Sequence, residues 1–320
     1  MISREKLEAN QVFLYLFILV VAITFGLTAP NIATQLDSTI SIIIGILMYS
    51  MFSQIPFHSL KGSLLNRRFM LALCIVNYIA VPIVVWLLSQ LLPDYPPLLL
   101  GLYLVLLTPC IDYVIVFTAI GRGNEKAILT ATPFLFISQM LLLPLYLWLF
   151  IGREATSLVE VTPFAEAFFG LIVLPLIVAV AIQKWGNSAK VGSRIIHLSG
   201  WLPVPFMAIT LFVVVASQIS KLSGSFYWIA KVIPIYIAFM IIMPFISKIV
   251  GKWMDLDVPT TRALIFSGST RNSLVVLPLA FALPNEVSIL VAAIIITQTI
   301  VEIVGELIYI KVIPNVVMPD

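Results

Sequence analysis

Long apolar runs separated by short polar connections repeat along the whole chain. A helix needs about 20 mostly apolar residues to cross the hydrocarbon core of a bilayer. On that count the runs predict ten transmembrane helices, near 12–29, 38–56, 69–91, 97–120, 127–151, 164–183, 198–219, 226–247, 262–283 and 287–313. The connections are short and rich in Gly, Pro and Asn, which leaves no room for a soluble domain, so residues 1–320 are expected to form a single membrane domain. The longest connections, around 57–68, 152–163, 184–197 and 248–261, are amphipathic or basic and are expected to lie along the headgroup layer. The first run, Val12 to Ala29, follows a charged leader containing Arg4 and Lys6. A secretory signal would have a shorter apolar region, roughly 7–15 residues, so this run reads as a retained span.

Composition supports the same class. Hydrophobic residues make up 61% of the chain, charged residues 10%, and the mean hydropathy is +1.11. A soluble domain keeps roughly a quarter of its residues charged, so the outer surface of this protein must face lipid. The net charge of +3 says little by itself; its distribution says more. Fourteen of the 18 Lys and Arg residues fall on one side of the ten spans, two (Arg153 and Lys221) on the other, and Lys231 and Arg271 inside spans. The positive-inside bias therefore predicts cytoplasmic N and C termini for a multi-pass protein of the plasma (inner) membrane.

Several chemistries lack their residues. Cys74 and Cys110 sit far apart in apolar runs, and His58 and His197 lie in or beside connections, so no zinc or redox cluster is expected. There is no Walker loop, HExxH, GxSxG or dinucleotide-binding turn. The expectation is a secondary transporter rather than an enzyme, with no cofactor. Its partners are the bilayer and a small inorganic or organic solute, with no nucleic acid and no obligate protein partner.

A shift of 161 residues reveals a short internal match. Asn124, Glu125, Ile128, Leu129 and Ala131 fall on Asn285, Glu286, Ile289, Leu290 and Ala292. Both copies connect the fourth and fifth spans of a five-span half. An odd number of spans per half forces opposite orientations, so residues 1–160 and 161–320 are expected to be inverted repeats, with the site near the midplane where broken helices meet.

The polar residues inside spans mark that site. Pro109 in span 4 cannot donate a backbone hydrogen bond, and Thr108-Pro109 looks like an N-cap followed by a first helical position. Span 4 is expected to break there, with a half-helix placing Cys110 at its positive end. Asp112 is about 200° around a regular helix from Cys110, so both face one cavity only if the backbone is irregular. The same shift carries Cys110 onto Arg271, within a run of small and polar residues that includes Gly268, Ser269 and Asn272. This run fits a second broken span, although Gly and Ser also serve close helix packing. A guanidinium at that depth must be paired or hydrated. In span 10, Gln298, Glu302 and Glu306 recur every four residues as one polar stripe. Glu302 can carry a proton, or it can pair with Arg271 and hold two helices together. Lys231 and Glu166 lie near span ends, where side chains snorkel.

Three motifs carry a family resemblance. They are Thr108-Pro-Cys-Ile-Asp-Tyr-Val-Ile-Val-Phe-Thr-Ala-Ile-Gly-Arg-Gly-Asn124, Thr270-Arg-Asn-Ser-Leu-Val-Val-Leu-Pro-Leu-Ala280 and Gln298-Thr-Ile-Val-Glu-Ile-Val-Gly-Glu-Leu-Ile-Tyr309. Together they resemble the bile acid:sodium symporter superfamily, and within it the arsenite efflux permease branch. The resemblance implies an all-α membrane fold of two inverted five-helix repeats, with unwound, crossing helices 4 and 9 dividing a panel domain from a core domain. It also implies functional roles for Cys110 and Glu302.

Two departures matter. Positions that ligate sodium in sodium-coupled relatives hold Ser267, Arg271, Val114 and Ile115 here, so the proton is expected as coupling ion and sodium is disfavoured. Pro109 stands where the arsenite branch commonly has Arg, and Asp112 where it has a small apolar residue, which leaves the substrate open. The leading expectation is proton-coupled efflux of arsenite or antimonite, with Cys110 as the soft ligand and Asp112, Arg271 and Asn272 as further substrate-binding candidates. Glu302, Gln298 and Glu306 would serve coupling. The alternative is a carrier of a small organic anion, a carboxylate or sulfonate, held by Arg271 and helix N-termini.

Overall fold

The computed structural model describes residue 7 and residues 10–55, 66–111, 113–152, 166–186, 190–220 and 226–320. Among these the structure is all-helical, and the one β-type feature is an isolated bridge between Pro109 and Arg271. In chain order the helices are α1 (Gln11–Thr28), α2 (Pro30–Phe52), α3 (Arg67–Ser89), α4 (Pro96–Leu106), α5 (Val114–Ile120), α6 (Glu125–Ile151) and α7 (Glu166–Gly186). They continue with α8 (Lys190–Ser199), α9 (Pro203–Ile219), α10 (Phe226–Trp253), α11 (Val258–Ser269), α12 (Ser273–Phe281) and α13 (Asn285–Val312).

Among the described residues six helices are long and apolar enough to cross a membrane: α2, α3, α6, α7, α10 and the stretch Val287–Val317 that includes most of α13. The pair α8–α9, bent by 47°, makes up to seven. The other expected spans take different forms. The first is a shorter apolar helix, and 97–120 and 262–283 are each divided into two short helices. The expected connection at 184–197 is largely helical, and that at 248–261 is consumed by the end of α10 and the start of α11. Of the connections expected around 57–68 and 152–163, residues 57–65 and 153–163 lie outside the described residues.

Local chemistry explains the helix starts. Asn66, Asn124 and Asp257 accept hydrogen bonds from the backbone N–H groups of Phe69, Ala127 and Thr260, satisfying donors that have no partner inside the helix. Proline opens α4 and α9, where its missing N–H costs nothing. A π-helical turn at Val76–Ala80 interrupts α3, and such turns change which face a side chain presents.

The chain forms two compact units, each drawing on both halves of the sequence. The first comprises Met1–Ile55, Glu160–Phe226 and Pro278–Ile289. In it α9 packs along α1 and α2 so closely that a Cβ on Gly26 would meet Ile219 at 2.3 Å and the Ala216 carbonyl at 2.5 Å. Gln218 donates to Asp37 at 2.7 Å, and Gln183 donates to carbonyls at the end of α2. Phe13 and Phe17 remain 67% and 65% exposed, as a lipid-facing surface requires.

The second unit comprises Pro56–Val159, Tyr227–Leu277 and Leu290–Asp320 and holds the polar centre. At one end Lys231 lies over the rings of Tyr227 and Trp228, at 4.4 and 5.9 Å. Elsewhere Arg262, one of the fourteen cations counted on the cytoplasmic side, is 2% exposed. Its guanidinium donates to the carbonyls of Met318, Arg122 and Pro314 and to the Asp320 carboxylate. The first turns of α11 thus carry a buried cation, because the last residues of the chain supply its acceptors.

Candidate functional site

Helix α4 ends at Leu106, and the next helix, α5, begins at Val114. Pro109 has no N–H to continue the ladder, and Thr108 turns its hydroxyl back onto the Leu104 carbonyl at 2.8 Å. The second interruption falls at Thr270–Asn272, between α11 and α12. There Thr270 is extended, with φ −101° and ψ 134°. The two interruptions pair antiparallel. Cys110 N–H donates to the Thr270 carbonyl at 3.3 Å, and Asn272 N–H donates to the Thr108 carbonyl at 2.8 Å. Each break therefore satisfies backbone groups that the other leaves exposed, which is what permits non-helical chain away from water.

This pairing corrects two expectations. Thr108 and Pro109 do not start a half-helix; Thr108 is at a bend, Pro109 is in the bridge to Arg271, and α5 begins four residues after Cys110. Gly268 and Ser269 belong to the last turn of α11, and the break comes immediately after them. Glycine is needed at 268 for packing: a Cβ there would meet Ser247 Oγ at 2.4 Å and Val76 Cγ1 at 2.5 Å.

Arg271 is fully buried. Its Nη2 donates to Asn77 Oδ1 at 2.8 Å and to the Ser267 carbonyl at 2.6 Å, and its Nη1 reaches the Leu106 carbonyl at 3.5 Å. The Phe239 ring lies 5.6 Å from the guanidinium carbon. Among the described residues the ion pairs are Arg68–Asp255 and Arg262–Asp320, so Arg271 and Glu302 form none. They are linked differently: the Arg271 backbone N–H donates to Glu302 Oε2 at 2.7 Å.

Glu302 is the hub of this unit's polar centre. Besides the Arg271 N–H it accepts from the Tyr113 hydroxyl at 2.5 Å and from Gln298 Nε2. Tyr113 also reaches the Arg271 carbonyl at 3.3 Å. One carboxyl group thus ties α13 to both interrupted segments, through Arg271 on one side and Tyr113, three residues beyond Cys110, on the other. One turn along α13, Glu306 accepts from Thr270 Oγ1 at 2.9 Å. Its Oε2, together with Gln298 Oε1, Asn272 Nδ2 and Arg271 Nε, has no hydrogen-bond partner among the described residues.

The structure brings Cys110, Arg271, Asn272, Gln298, Glu302 and Glu306 into this polar centre, every one of them buried. Asp112 lies outside the described residues. Sequence reasoning missed Asn77, Ser267 as a backbone acceptor, and Tyr113. Asn77 left one signal, a lone amide in an apolar run; the structure sets it within the π turn of α3, where it donates to Ser267 Oγ and accepts from Arg271. Among the described residues no group of three or more His, Cys, Asp and Glu side chains could hold a metal ion.

Interrupted helices whose freed backbone groups line a buried polar centre are an architecture of membrane transporters. Residues 41–225, more than half of the chain, match the Sodium Bile acid symporter family, and the chain belongs to that family. It is accordingly a multi-pass membrane protein and a secondary transporter of the bile acid:sodium symporter type. The matched segment includes Cys110 and ends before Arg271 and Glu302. No curated protein matches the chain.

Proposed function

We propose that this protein is a proton-coupled efflux carrier for arsenite or antimonite, built as ten spans in two inverted five-span repeats. Two observations support the repeat. The 161-residue shift carries the Pro109–Cys110 segment onto Thr270–Arg271, and those are the segments that pair. It also carries the cap of α6 at Asn124 onto Asn285, the first residue of α13.

The observation that carries the coupling is the three-way attachment of Glu302 to Arg271, Tyr113 and Gln298. An ionised carboxylate accepts all three hydrogen bonds; a protonated one must turn one oxygen into a donor. A proton on Oε1 therefore reverses the bond to Tyr113, on the segment beyond Cys110, while Oε2 keeps the Arg271 N–H and Gln298 Nε2. Cys110, just before that segment, supplies the soft donor. A metalloid hydroxide exchanges one hydroxyl for the thiolate sulfur and releases water after protonation. A single sulfur ligand keeps that bond reversible, as a carrier requires.

Cys110→Ser tests the reading. Arsenite accumulation in everted vesicles is expected to fall at least tenfold in a protein that still folds; undiminished accumulation would reject the metalloid assignment. A second reading, a small carboxylate or sulfonate as cargo, draws on the unused donor Asn272 Nδ2 beside the start of α12. Under it Asn272→Ala, and not Cys110→Ser, is the damaging change.

A further inference from the structure

The second acid of the α13 stripe differs from Glu302 in what surrounds it. Glu302 meets three donors, whereas Glu306 meets the Thr270 hydroxyl, 2.9 Å from its Oε1. That hydroxyl has another partner, the Phe266 carbonyl, at 2.5 Å. A hydroxyl carries a single hydrogen. With that hydrogen in the shorter bond to Phe266, the hydrogen between Thr270 and Glu306 has to belong to the carboxyl group. Glu306 Oε2 agrees: it is buried without a hydrogen-bond partner among the described residues. A carboxylate spreads its charge over both oxygens, and a buried charge without donors is costly; the carbonyl oxygen of a neutral acid costs far less. Among the described residues, the charged and titratable groups around Glu306 give it no hydrogen either. Tyr309, on the same helix, donates its hydroxyl to the Met240 carbonyl, Glu302 is an acid, and Arg271 sends its guanidinium to Asn77 and two helix ends.

We propose that Glu306 is a second proton-binding residue, held in this conformation as a neutral acid whose O–H donates to Thr270 Oγ1. When that proton is lost to water, Thr270 turns its hydrogen from the Phe266 carbonyl to Oε1. The carbonyl keeps the Thr270 N–H at 3.0 Å, so the exchange orphans no buried group there. Oε2, now charged, requires water, which confines release to a conformation that admits water to this end of the site. The Thr270 carbonyl accepts from Cys110 N–H, so the exchange acts on a residue that joins the two interruptions. Use of this proton in transport rests on the proton-coupled reading; its presence does not.

Infrared difference spectra of the purified protein at neutral pH test the proposal without any transported solute. Wild type minus Glu306→Gln is expected to show the C=O band of one protonated carboxyl group, moved by exchange into D2O. Glutamine offers an Nε2 hydrogen to Thr270 as the acid offers its O–H, so this variant should fold, with Tm within about 3 °C of the wild type. Thr270→Val removes the acceptor and should move the band without abolishing it, and it decides the matter if Glu306→Gln does not fold. Absence of an acid band from wild type minus Glu306→Gln, a carboxylate band in its place, or an acid band unmoved by Thr270→Val would overturn the proposal. Such a failure leaves the role of Glu302 standing, and a failure of pH-driven transport leaves the proton on Glu306.

Discussion

Replacing Glu302 by glutamine separates the proton from the architecture that the carboxyl group supports. Three donors converge on Glu302: the Tyr113 hydroxyl, the Arg271 N–H and Gln298 Nε2. A glutamine can satisfy the last two through its Oε1 and turn its Nε2 toward Tyr113. The hydroxyl then accepts, and its own hydrogen moves to the Arg271 carbonyl, already 3.3 Å away. No buried donor is orphaned, so Glu302→Gln should cost under about 1 kcal/mol and move Tm by no more than about 4 °C. Glu302→Ala gives the contrast. Tyr113 keeps its alternative acceptor, but the Arg271 N–H and Gln298 Nε2 lose theirs, at about 1–3 kcal/mol each, for a total of about 2–6 kcal/mol. The assay pairs a thermal melt with two transport modes in proteoliposomes. Net arsenite movement driven by a pH gradient should fall at least tenfold in Glu302→Gln, whereas arsenite exchange between equal pools should persist. Full activity of Glu302→Gln in the pH-driven mode, or a melt as low as that of Glu302→Ala, would refute the reasoning.

Three further outcomes follow from the same geometry. Gly268→Ala forces a methyl against Ser247 Oγ and Val76 and should cost about 1–3 kcal/mol in a melt; Ser247→Ala, which removes a hydroxyl without a partner among the described residues, should recover part of that loss. Asn124→Ala removes both the cap on Ala127 and the bond to Thr260 Oγ1, so a fall of about 1–2 kcal/mol is expected. Reporter tags at both termini should be cytoplasmic, and an N terminus outside the cell would remove the basis for ten spans in inverted halves.

The interruptions were legible because proline and a run of small polar residues cannot sustain a helix in lipid without help. Thr108-Pro109 and the 266–273 stretch announce them at the level of single residues. Where each helix stops and restarts was not legible. It depends on hydrogen bonds between Cys110 and Thr270 and between Asn272 and Thr108, residues more than 150 positions apart. Without that pairing, Thr108-Pro109 reads as a helix start; with it, Pro109 joins the bridge to Arg271 and α5 begins at Val114. The stripe of Gln298, Glu302 and Glu306 follows from helical spacing alone. The partners of Arg271 do not, because charge suggests Glu302 for the guanidinium. The geometry gives Glu302 to the backbone and sends the side chain to Asn77 and two helix ends. A π turn places Asn77, and a lone asparagine in an apolar run does not predict one.

The central claim is that a proton on Glu302, and no sodium ion, drives the movement of a metalloid bound at Cys110. Arsenite accumulation by sealed everted vesicles tests it most directly, with a pH gradient imposed in sodium-free buffer and, separately, a sodium gradient imposed at constant pH. The account predicts accumulation that follows the pH gradient, collapses with a protonophore and ignores sodium. Accumulation stimulated by sodium at constant pH, or no arsenite movement under either gradient, would contradict it.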